Sequence, residues 1–585
     1  MFIAGCGGDG DADGSSIKSA AVESGAPAPI VDTAVKAPLI SAGNGNVKGY
    51  VASDKIWPMR TINVCWKVDA ATFASTAELR GVARRAVKDS WEDHSELAFT
   101  GWNMCDDNPD YHGIRIVLSD ERVHVTSFGK DLDSPDQAVF LNFEYQNWNP
   151  FCLPLGNRAY CVKVEAVHEF GHALGFQHEQ LRPDAPAWCM DTPATYPFGD
   201  TLIGAWDTAS VMNYCNPVWE GNGDLSPTDI EMVQRFYGKP GGTLYLVGKQ
   251  KGPDQSIVAY DTTAQKKIAE ISIAASSTSL INGVTASPDG KRVYVLNSET
   301  SSSRVTAIDT DTNTVVYSRA SQPSLLFEQL EVSPDNKTLY LLSKTKSSVV
   351  LWNAMTGDSS GSIGVSAPTG ASADRGIGWM AKPQSDNNKI YVLSLYDGAD
   401  RMNTVFGFAQ LDVSQRKQVR SIKAGMYDDL GNGLALALSV DEKKIFYPAA
   451  TALAGPNGGL NSVDLESGKI TKLAAFSAET TVRDMLALDA DSLIFGNWKA
   501  GTLPTRVDVR TGATSAIPIP PSYLTVKGYE YLAASNVKEI FSSNVSSIWQ
   551  STLQSDGSYI GKLLDSRGNY SAGTLNHPIA FAKAH

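Results

Sequence analysis

Three histidines and one glutamate in this sequence are spaced as the ligands and the general base of a metal site would be. They lie between Val167 and His178, in a stretch that holds three of the chain's eight histidines. On a helix, His168 and His172 are one turn apart and project from the same face, so both imidazoles can bind one cation. Gly175 can adopt the left-handed conformation that ends a helix, after which His178 can approach the same cation. The spacing predicts one zinc ion per chain, bound by His168, His172 and His178, with Glu169 beside it.

A second string downstream supports this interpretation. The string is Ser210-Val-Met-Asn-Tyr214, and the first stretch has the form H-E-x-x-H-x-x-G-x-x-H. Together they resemble the metzincin metallopeptidases, in which a methionine-containing turn lies beneath the three zinc ligands. The resemblance implies that Met212 and Gly175 are structural residues of the site and that the reaction is hydrolysis of peptide bonds.

Among the metzincins, the astacin family is the most similar to this chain. The resemblance covers about residues 57–238 and is carried by Phe176, Glu179, Arg182, Asp184 and Tyr214. In astacins the tyrosine at the position of Tyr214 is a fifth, displaceable zinc ligand that stabilises the oxyanion. The resemblance therefore implies both a metal-binding and a catalytic role for Tyr214. The chain departs from the family at Asn213, where astacins commonly have a histidine.

The predicted zinc site and the resemblance together imply a mechanism. Three-histidine zinc polarises the scissile carbonyl and activates its bound water, while Glu169 takes the water's proton and later delivers it to the leaving amine. By analogy with the metzincins, the strand around Ala138–Phe143 would pair with an extended substrate backbone. We therefore expect a zinc endopeptidase that acts on proteins or peptides.

The elements that must position these residues are predicted by apolar periodicity. Strands are expected at 62–66, Ile114–Leu118 and Ala138–Phe143. A capping box at Ser75–Glu78 precedes one amphipathic helix that extends to Trp91. Ser226 and Pro227 can begin a final helix that Gly238 ends. The sequence thus predicts an α+β peptidase domain of the metzincin type over residues 49–240.

The cysteines are confined to this part of the chain. Six of the seven lie between positions 65 and 215, and none follows. An even set in one region predicts three disulfides formed in an oxidising compartment, with many pairings open. Our hypothesis is nearest-neighbour pairing: Cys65 with Cys105, Cys152 with Cys161, and Cys189 with Cys215. Buried free thiols in a cytosolic protein are the alternative.

The first 48 residues have a different character. The string Ile3-Ala-Gly-Cys6 resembles a bacterial lipobox, which implies lipidation of Cys6 and anchoring at the cell surface or outer membrane. Only Met1 and Phe2 precede this string, so we expect that the start is a truncated signal peptide. Residues 7–48 are rich in Gly, Ala, Ser, Asp and Pro and predict a disordered tether. A chance cysteine in a disordered tail is the alternative.

After Gly242 the sequence repeats. A polar turn followed by an apolar strand recurs clearly four times, ending near Tyr294, Tyr340, Tyr391 and Phe446, and degenerate copies surround Tyr245, Ile494 and Phe541. The clear copies are spaced 46–55 residues apart. This period predicts an all-β seven-bladed propeller over residues 241–585. The repeats resemble the YVTN or lactonase-like type, and a pair of β-sandwiches is the alternative. We expect the propeller to dock a substrate, a glycan or a partner protein.

Composition excludes other classes of function. The 585 residues include 50 Lys and Arg against 63 Asp and Glu, a net charge of −13, which opposes binding to nucleic acid. No apolar run approaches the roughly 18 residues of a membrane helix. Two alternative functions remain open: a binding or adhesion protein with a vestigial metal site, and a lactonase-like hydrolase acting through the propeller.

Overall fold

The computed structural model of the protein describes most of the chain after residue 48. The described residues are 40–41, 49–105, 111–189, 199–367, 371, 373–383, 386–397, 404–426, 435–450, 457–480, 482–488, 492–497, 502–518, 531–534, 538–543, 547–554, 558–566 and 579–584. The chain divides into two compact units, Met1–Tyr237 and Gly238–His585. Cys6 and nearly all of the expected tether lie outside the described residues, so the lipid anchor stays a prediction.

The described part of the first unit contains both helices and strands. Its helices are α1 (Ala70–Ser75), α2 (Ala77–Val87), α3 (Leu155–Ala173) and α4 (Pro227–Tyr237). Its strands are β1 (Ile40–Ser41), β2 (Gly49–Val51), β3 (Thr61–Trp66), β4 (Ala98–Met104), β5 (Ile114–Leu118), β6 (His124–Val125), β7 (Val139–Leu141) and β8 (Thr201–Ile203). Five of these strands form one mixed sheet, and β1, β8 and β2 form a smaller one.

The order of the mixed sheet corrects one expectation. The strands lie in the order β4-β3-β5-β7-β6, with β6 antiparallel to β7 and the other neighbours parallel. Strand β7, within the segment Ala138–Phe143, therefore pairs on both sides and has no free edge for a substrate. The expectation of substrate pairing on that strand is wrong, because β6 covers it. The edge strand on this side of the sheet is His124–Val125.

Helix α3 is fixed to the core by two buried tryptophans. The indole of Trp91 donates a hydrogen bond to the carbonyl of Val167 at 2.9 Å, and that of Trp57 donates to Ala173 at 2.8 Å. Both side chains are at most 2% exposed. Burial of such large rings is strongly favourable, and their N–H groups need partners inside the protein. The two tryptophans hold the helix segment that carries His168 and His172.

The predicted first helix is divided in the structure. Asp69 caps α1 by accepting the N–H groups of Ala71 and Thr72, and Ser75 ends that helix rather than starting one. Helix α2 begins after Thr76, whose side chain makes no capping bond. The predicted capping box is therefore wrong, because Asp69 provides an earlier cap. Helix α4 begins as predicted, with the Ser226 hydroxyl accepting the Asp229 N–H at 3.0 Å.

The first unit contains three disulfides with nearest-neighbour pairing. They join Cys65 to Cys105, Cys152 to Cys161, and Cys189 to Cys215, which confirms the predicted connectivity. Such bonds persist in oxidising compartments and therefore indicate an extracellular location. No helix in the described part of the chain is both long and apolar enough to cross a membrane.

The second unit is a seven-bladed β-propeller built from four-stranded antiparallel sheets. Its strands are β9 (Gly242–Lys249), β10 (Ser256–Asp261), β11 (Lys266–Ser272), β12 (Leu280–Ala286), β13 (Arg292–Ser298), β14 (Ser303–Asp309), β15 (Thr314–Ala320), β16 (Gln329–Val332), β17 (Thr338–Ser343), β18 (Ser348–Asn353), β19 (Ser359–Gly364), β20 (Ala373–Met380), β21 (Lys389–Asp397), β22 (Thr404–Asp412), β23 (Lys417–Met426), β24 (Ala437–Leu438), β25 (Lys444–Ala450), β26 (Asn457–Asp464), β27 (Ile470–Thr480), β28 (Val482–Ala487), β29 (Ser492–Asn497), β30 (Thr505–Asp508), β31 (Thr514–Ala516), β32 (Tyr531–Ala533), β33 (Glu539–Ser543), β34 (Ser547–Leu553), β35 (Tyr559–Ser566) and β36 (Ile579–Lys583).

Strand β36 closes the ring of blades. It pairs antiparallel with β9, so the first blade combines three strands from the start of the unit with one from its end. The other six blades are consecutive, from β12–β15 to β32–β35. The seven repeat residues all lie on the second strand of a blade, at Tyr245, Tyr294, Tyr340, Tyr391, Phe446, Ile494 and Phe541. The predicted propeller is confirmed.

The repeated polar turn links neighbouring blades in the four clear copies of the repeat. The Asp289 N–H donates to the Asn336 side chain at 3.0 Å, and the Asp335 N–H donates to the Asn387 side chain at 2.7 Å. Asp386 and Glu442 continue the series at 2.8 Å. The repeated string therefore has a structural function, because each turn supplies the acceptor for the turn before it.

Candidate metal centre

The structure brings the three predicted histidine ligands together. His168 and His172 lie near the end of α3, and Gly175, with a φ of +90°, turns the chain toward His178. The Nε2 atom of His178 lies 3.1 Å from that of His168 and 3.0 Å from that of His172. The three ligand atoms lie within 4.8 Å of one another, and no other such group is found in the described residues.

Backbone carbonyls determine which nitrogens of this cluster carry protons. The Nδ1 atom of His168 lies 2.8 Å from the Val211 carbonyl, and that of His172 lies 2.8 Å from the Phe176 carbonyl. A carbonyl only accepts, so each Nδ1 must hold the proton. The Nε2 lone pairs of both histidines therefore point into the same space. The donor set fits a borderline-soft divalent ion such as zinc, which favours imidazole nitrogen.

Burial keeps these imidazoles neutral, as metal ligands must be. Desolvation lowers the pKa of His172 to about 4. It also lowers the pKa values of His168 and His178 well below their usual range, and the neighbouring histidines add to the effect.

The turn that carries His178 is held by residues far away in the sequence. The Ala52 N–H donates to the Gly175 carbonyl at 3.0 Å, and the Gln177 N–H donates to the Tyr50 carbonyl at 2.9 Å. Arg182 is fully buried beside this turn and donates to the carbonyls of Gly49, Ile203 and Gly204. Hydrogen bonds to strand β2 and to the residue that follows it thus hold the turn that carries His178 in place.

Glu179 and Asp184, two of the residues that carry the astacin resemblance, are ion-pairing partners of Arg182. Glu179 is buried, accepts the Asp207 N–H at 2.9 Å and lies 3.5 Å from the Arg182 Nε. Burial raises the pKa of Glu179 to about 8, although Arg182 lowers it. Asp184 accepts from the same guanidinium at 2.8 Å. In this structure Glu179 and Asp184 therefore support the fold around the third ligand.

Met212 packs directly against the ligand helix. Its side chain is 1% exposed, and a Cβ atom added at Gly171 would lie 2.3 Å from its Sδ. The Glu179 N–H donates to the Met212 carbonyl at 2.9 Å, which joins the methionine turn to the residue after His178. Gly171 lies between His168 and His172 in the sequence, and only glycine at this position leaves room for the methionine side chain.

Asp229 at the start of α4 holds the methionine turn from behind. Its carboxylate accepts from the Ser210 hydroxyl at 2.7 Å, the Val211 N–H at 3.0 Å and the Ser226 N–H at 2.9 Å. Burial raises the pKa of Asp229 to about 6, although these bonds lower it. Sequence reasoning missed this residue, since an aspartate in the first turn of a helix has an ordinary capping role.

Glu169 lies in the cluster with an oxygen available for chemistry. It is 2% exposed, and its Oε2 accepts no hydrogen bond from the described residues. Desolvation raises the pKa of Glu169 well above the usual range, and the carboxyls of Glu220 and Glu165 add to the effect. Glu165 lies one turn earlier on α3 and accepts from the Tyr145 hydroxyl at 2.6 Å.

Tyr214 covers the histidine cluster on one side. Its ring stacks on His168 at a centroid distance of 5.3 Å and lies 4.4 Å from the His178 ring. The residue as a whole is 41% exposed. Desolvation raises the pKa of its hydroxyl above the usual value, as do Glu220 and Glu169. Arg122 donates to this hydroxyl at 3.3 Å.

Two charged residues of the centre were missed by sequence reasoning. Arg122 lies just before the edge strand β6, and Glu220 lies in the segment Trp219–Gly223. The Glu220 Oε2 is 3.7 Å from the His168 Nδ1. Burial raises the pKa of Glu220 to about 8, although Arg122 lowers it. Neither residue belongs to a local pattern, so no signal in the sequence points to them.

No protein-family model matches this sequence, and the search of curated proteins found no match. Among solved structures, the chain is similar to hydrazine synthase of Kuenenia stuttgartiensis, at 15% identity over 54% of this chain and 96% of that one, with a TM-score of 0.37. A functionally unknown protein from Desulfotomaculum acetoxidans is similar at 13% identity over 59% of this chain and 100% of that one, with a TM-score of 0.38. The WD40 repeats of RRP9 are similar at 10% identity over 51% of this chain and 82% of that one, with a TM-score of 0.37. The propeller assignment rests on the seven sheets of this chain.

Proposed function

We propose that the protein is a zinc-dependent endopeptidase of the astacin-like metzincin type, which hydrolyses peptide bonds of protein substrates. One observation carries the proposal. Two backbone carbonyls accept the Nδ1 protons of His168 and His172. The unprotonated Nε2 atoms of both residues therefore face the same space as the Nε2 of His178. Packing alone does not require three imidazole nitrogens to converge in this way, whereas cation binding does.

The residues of the centre have distinct functions in this proposal. His168, His172 and His178 would hold the zinc ion, with Tyr214 beside them. Bound zinc supplies Lewis-acid polarisation of the scissile carbonyl and activation of the attacking water. Glu169 accepts the water's proton at its free Oε2 and returns it to the leaving amine. The Tyr214 hydroxyl, oriented by Arg122, donates to the oxyanion.

The edge of the mixed sheet offers a binding mode for an extended substrate. Strand β6 (His124–Val125) pairs with β7 on one side only, among the described strands. An extended peptide can add to such an edge through main-chain hydrogen bonds. We assign this edge, in place of β7, the alignment of the substrate backbone.

Metal analysis combined with proteolysis tests the proposed activity. We expect one mole of zinc per mole of chain, and cleavage of casein and of a peptide library between defined side chains. A chelator should abolish cleavage and added zinc should restore it. Cleavage that continues in the metal-free protein, or zinc binding without any cleavage, would overturn the proposal.

The propeller has a docking function in this proposal. A closed ring of sheets presents loops on a rigid frame, and such loops commonly carry binding residues. The first unit packs its own core, from Val51 to Tyr237, which supports testing it alone. Deletion of residues 243–585 should leave cleavage of short peptides intact and reduce cleavage of folded proteins. Unchanged rates on both substrates would remove the docking function.

A further inference from the structure

We propose that Glu220 is a positioning residue of the metal centre, which acts through His168 to strengthen cation binding. This inference rests on the proposed zinc site and goes beyond the residues of its motif. Glu220 is 8% exposed, and its Oε2 lies 3.7 Å from the His168 Nδ1. The same oxygen is buried and accepts no hydrogen bond from the described residues.

The backbone at Glu220 is held in a conformation that favours glycine. Its φ and ψ are 41° and 42°, and Gly221 and Asn222 continue the left-handed turn at φ values of 62° and 58°. A non-glycine residue is disfavoured there by contact between its Cβ and the backbone. A glutamate at such a position, whose Oε2 accepts no hydrogen bond from the described residues, is unfavourable for folding, which points to a role at the adjacent histidines.

Contacts with α3 fix this turn beside the metal centre. Tyr160 donates from its hydroxyl to the Asn222 side chain at 2.7 Å, and Lys163 pairs with Asp224 at 2.7 Å. A Cβ atom at Gly223 would lie 3.2 Å from the Cα of Val164. The turn therefore lies closely against the helix that carries His168, and Glu220 has little freedom to move away.

The distance indicates how Glu220 acts. At 3.7 Å its Oε2 is too far from the His168 Nδ1 for a good hydrogen bond, and the Nδ1 proton already binds the Val211 carbonyl. A bound cation favours the ionised form of Glu220 despite its burial, and the carboxylate then polarises the imidazole and makes Nε2 a stronger donor. Removal of an outer carboxylate that accepts the ligand's N–H typically weakens metal binding by about 10–100-fold, and a carboxylate that acts by its charge alone belongs at the lower end of this range.

Glu220→Gly separates this role from a structural one. We expect zinc affinity, measured by competition with a chelator, to fall by about 10-fold or more. The melting temperature of the metal-free protein should stay equal or rise, because glycine suits a φ of 41°. Glu220→Gln keeps the shape of the side chain and should lose zinc affinity to a similar extent.

Asn222→Asp is the matched control, because it changes the same turn, tolerates a φ of 58° and keeps an acceptor for the Tyr160 hydroxyl that holds the turn. It should leave zinc affinity unchanged. If Glu220→Gly and Glu220→Gln bind zinc as tightly as the wild type, the inference fails and the proposed function stands. Equal losses in Asn222→Asp and Glu220→Gly would show a structural role and would also overturn it. A wild-type protein that binds no zinc would overturn the proposed function together with this inference.

Discussion

At the residue scale, the chemistry of the proposed metal centre depends on neighbours that contact the far side of two of its three histidines. Val211 and Phe176 contribute carbonyl oxygens, which fix the tautomers of His168 and His172. A neutral imidazole has one donor and one acceptor nitrogen, so the bond at Nδ1 decides the state of Nε2. Two predictions belong to this scale, one for the proposed base and one for the packing beneath the ligands.

Glu169→Gln should retain zinc and lose turnover. The amide cannot accept and return the proton, so we expect kcat to fall by a factor on the order of 10²–10⁴. Steady-state hydrolysis of a quenched peptide, with zinc content measured on the same samples, checks this. Glu231→Gln, on the exposed face of α4, is the control and should match the wild type. Full activity of Glu169→Gln would show that another group is the base.

Gly171→Ala should damage the metal centre through Met212. The added Cβ would lie 2.3 Å from the Met212 Sδ, so the methionine or the helix must shift. We expect a lower melting temperature and weaker zinc binding, measured by calorimetry and chelator competition. Gly81→Ala in α2 is the control, since its nearest neighbour is the flexible end of Arg85 at 3.2 Å, and it should stabilise by about 1 kcal/mol. Additivity of Gly171→Ala with Met212→Ala would contradict a direct clash.

At the element scale, each loop of the centre is tied to a helix or a strand. Asp229 at the start of α4 binds the methionine turn, and Tyr50 in β2 and Ala52 just after it bind the turn before His178. In the propeller, the turn after the first strand of a blade is tied to the corresponding turn of the next blade. One prediction tests the link to α4, and another tests a link between blades.

Asp229 should make the stability of the first unit depend on pH. Burial raises the pKa of Asp229 from 3.8 to about 6 in the folded state, so folding favours the protonated form. This stabilisation is fully present below the unfolded value and is lost as the pH rises through about 6. We expect the free energy of unfolding of the wild type, relative to Asp229→Asn, to decrease between pH 4 and pH 7 in urea titrations. Parallel pH profiles of the two proteins would contradict this.

Asn336→Ala should destabilise the propeller. The Asn336 side chain accepts the Asp289 N–H at 3.0 Å, and Asn336 itself has a φ of 63°. Alanine loses the acceptor and is strained at that φ, so we expect a loss of about 2 kcal/mol. Asn336→Asp keeps an acceptor and tolerates the conformation, and it should remain near the wild type. Denaturant unfolding checks this, and equal stability of the alanine variant would show that the link contributes nothing.

At the scale of the whole molecule, the two units have different means of stabilisation. All three disulfides and the histidine cluster lie in Met1–Tyr237, while the propeller relies on ring closure by β36. Anything that binds only the folded state stabilises it by mass action, about 2.7 kcal/mol at 100 times its Kd. Metal should therefore stabilise one unit and not the other.

Removal of zinc should lower only one of two unfolding transitions. We expect calorimetry of the full chain with a chelator to shift the transition of the first unit downward and to leave that of the propeller in place. The variant His172→Ala should reproduce the shift without a chelator and become insensitive to added zinc. A chelator effect on the propeller transition alone would contradict the assignment of the metal to the histidine cluster.

The amino-acid sequence alone determined the features that depend on local spacing. The helical spacing of His168 and His172 and the glycine turn before His178 were enough to predict that the three would meet. The repeated turn and strand predicted seven blades, because each repeat forms one sheet of the same kind. The even number of cysteines in one region predicted three disulfides but left their pairing open, and the structure decided in favour of the nearest-neighbour hypothesis.

Only the tertiary structure decided the features that depend on contacts between distant segments. It made β6 rather than β7 the edge of the sheet, and it placed Glu220, Arg122 and Asp229 around the histidines. It also joined β36 to β9 across the whole length of the propeller. The physical reason is that a helix or a repeat is set by interactions a few residues apart, whereas these contacts arise when separate elements pack around a common core.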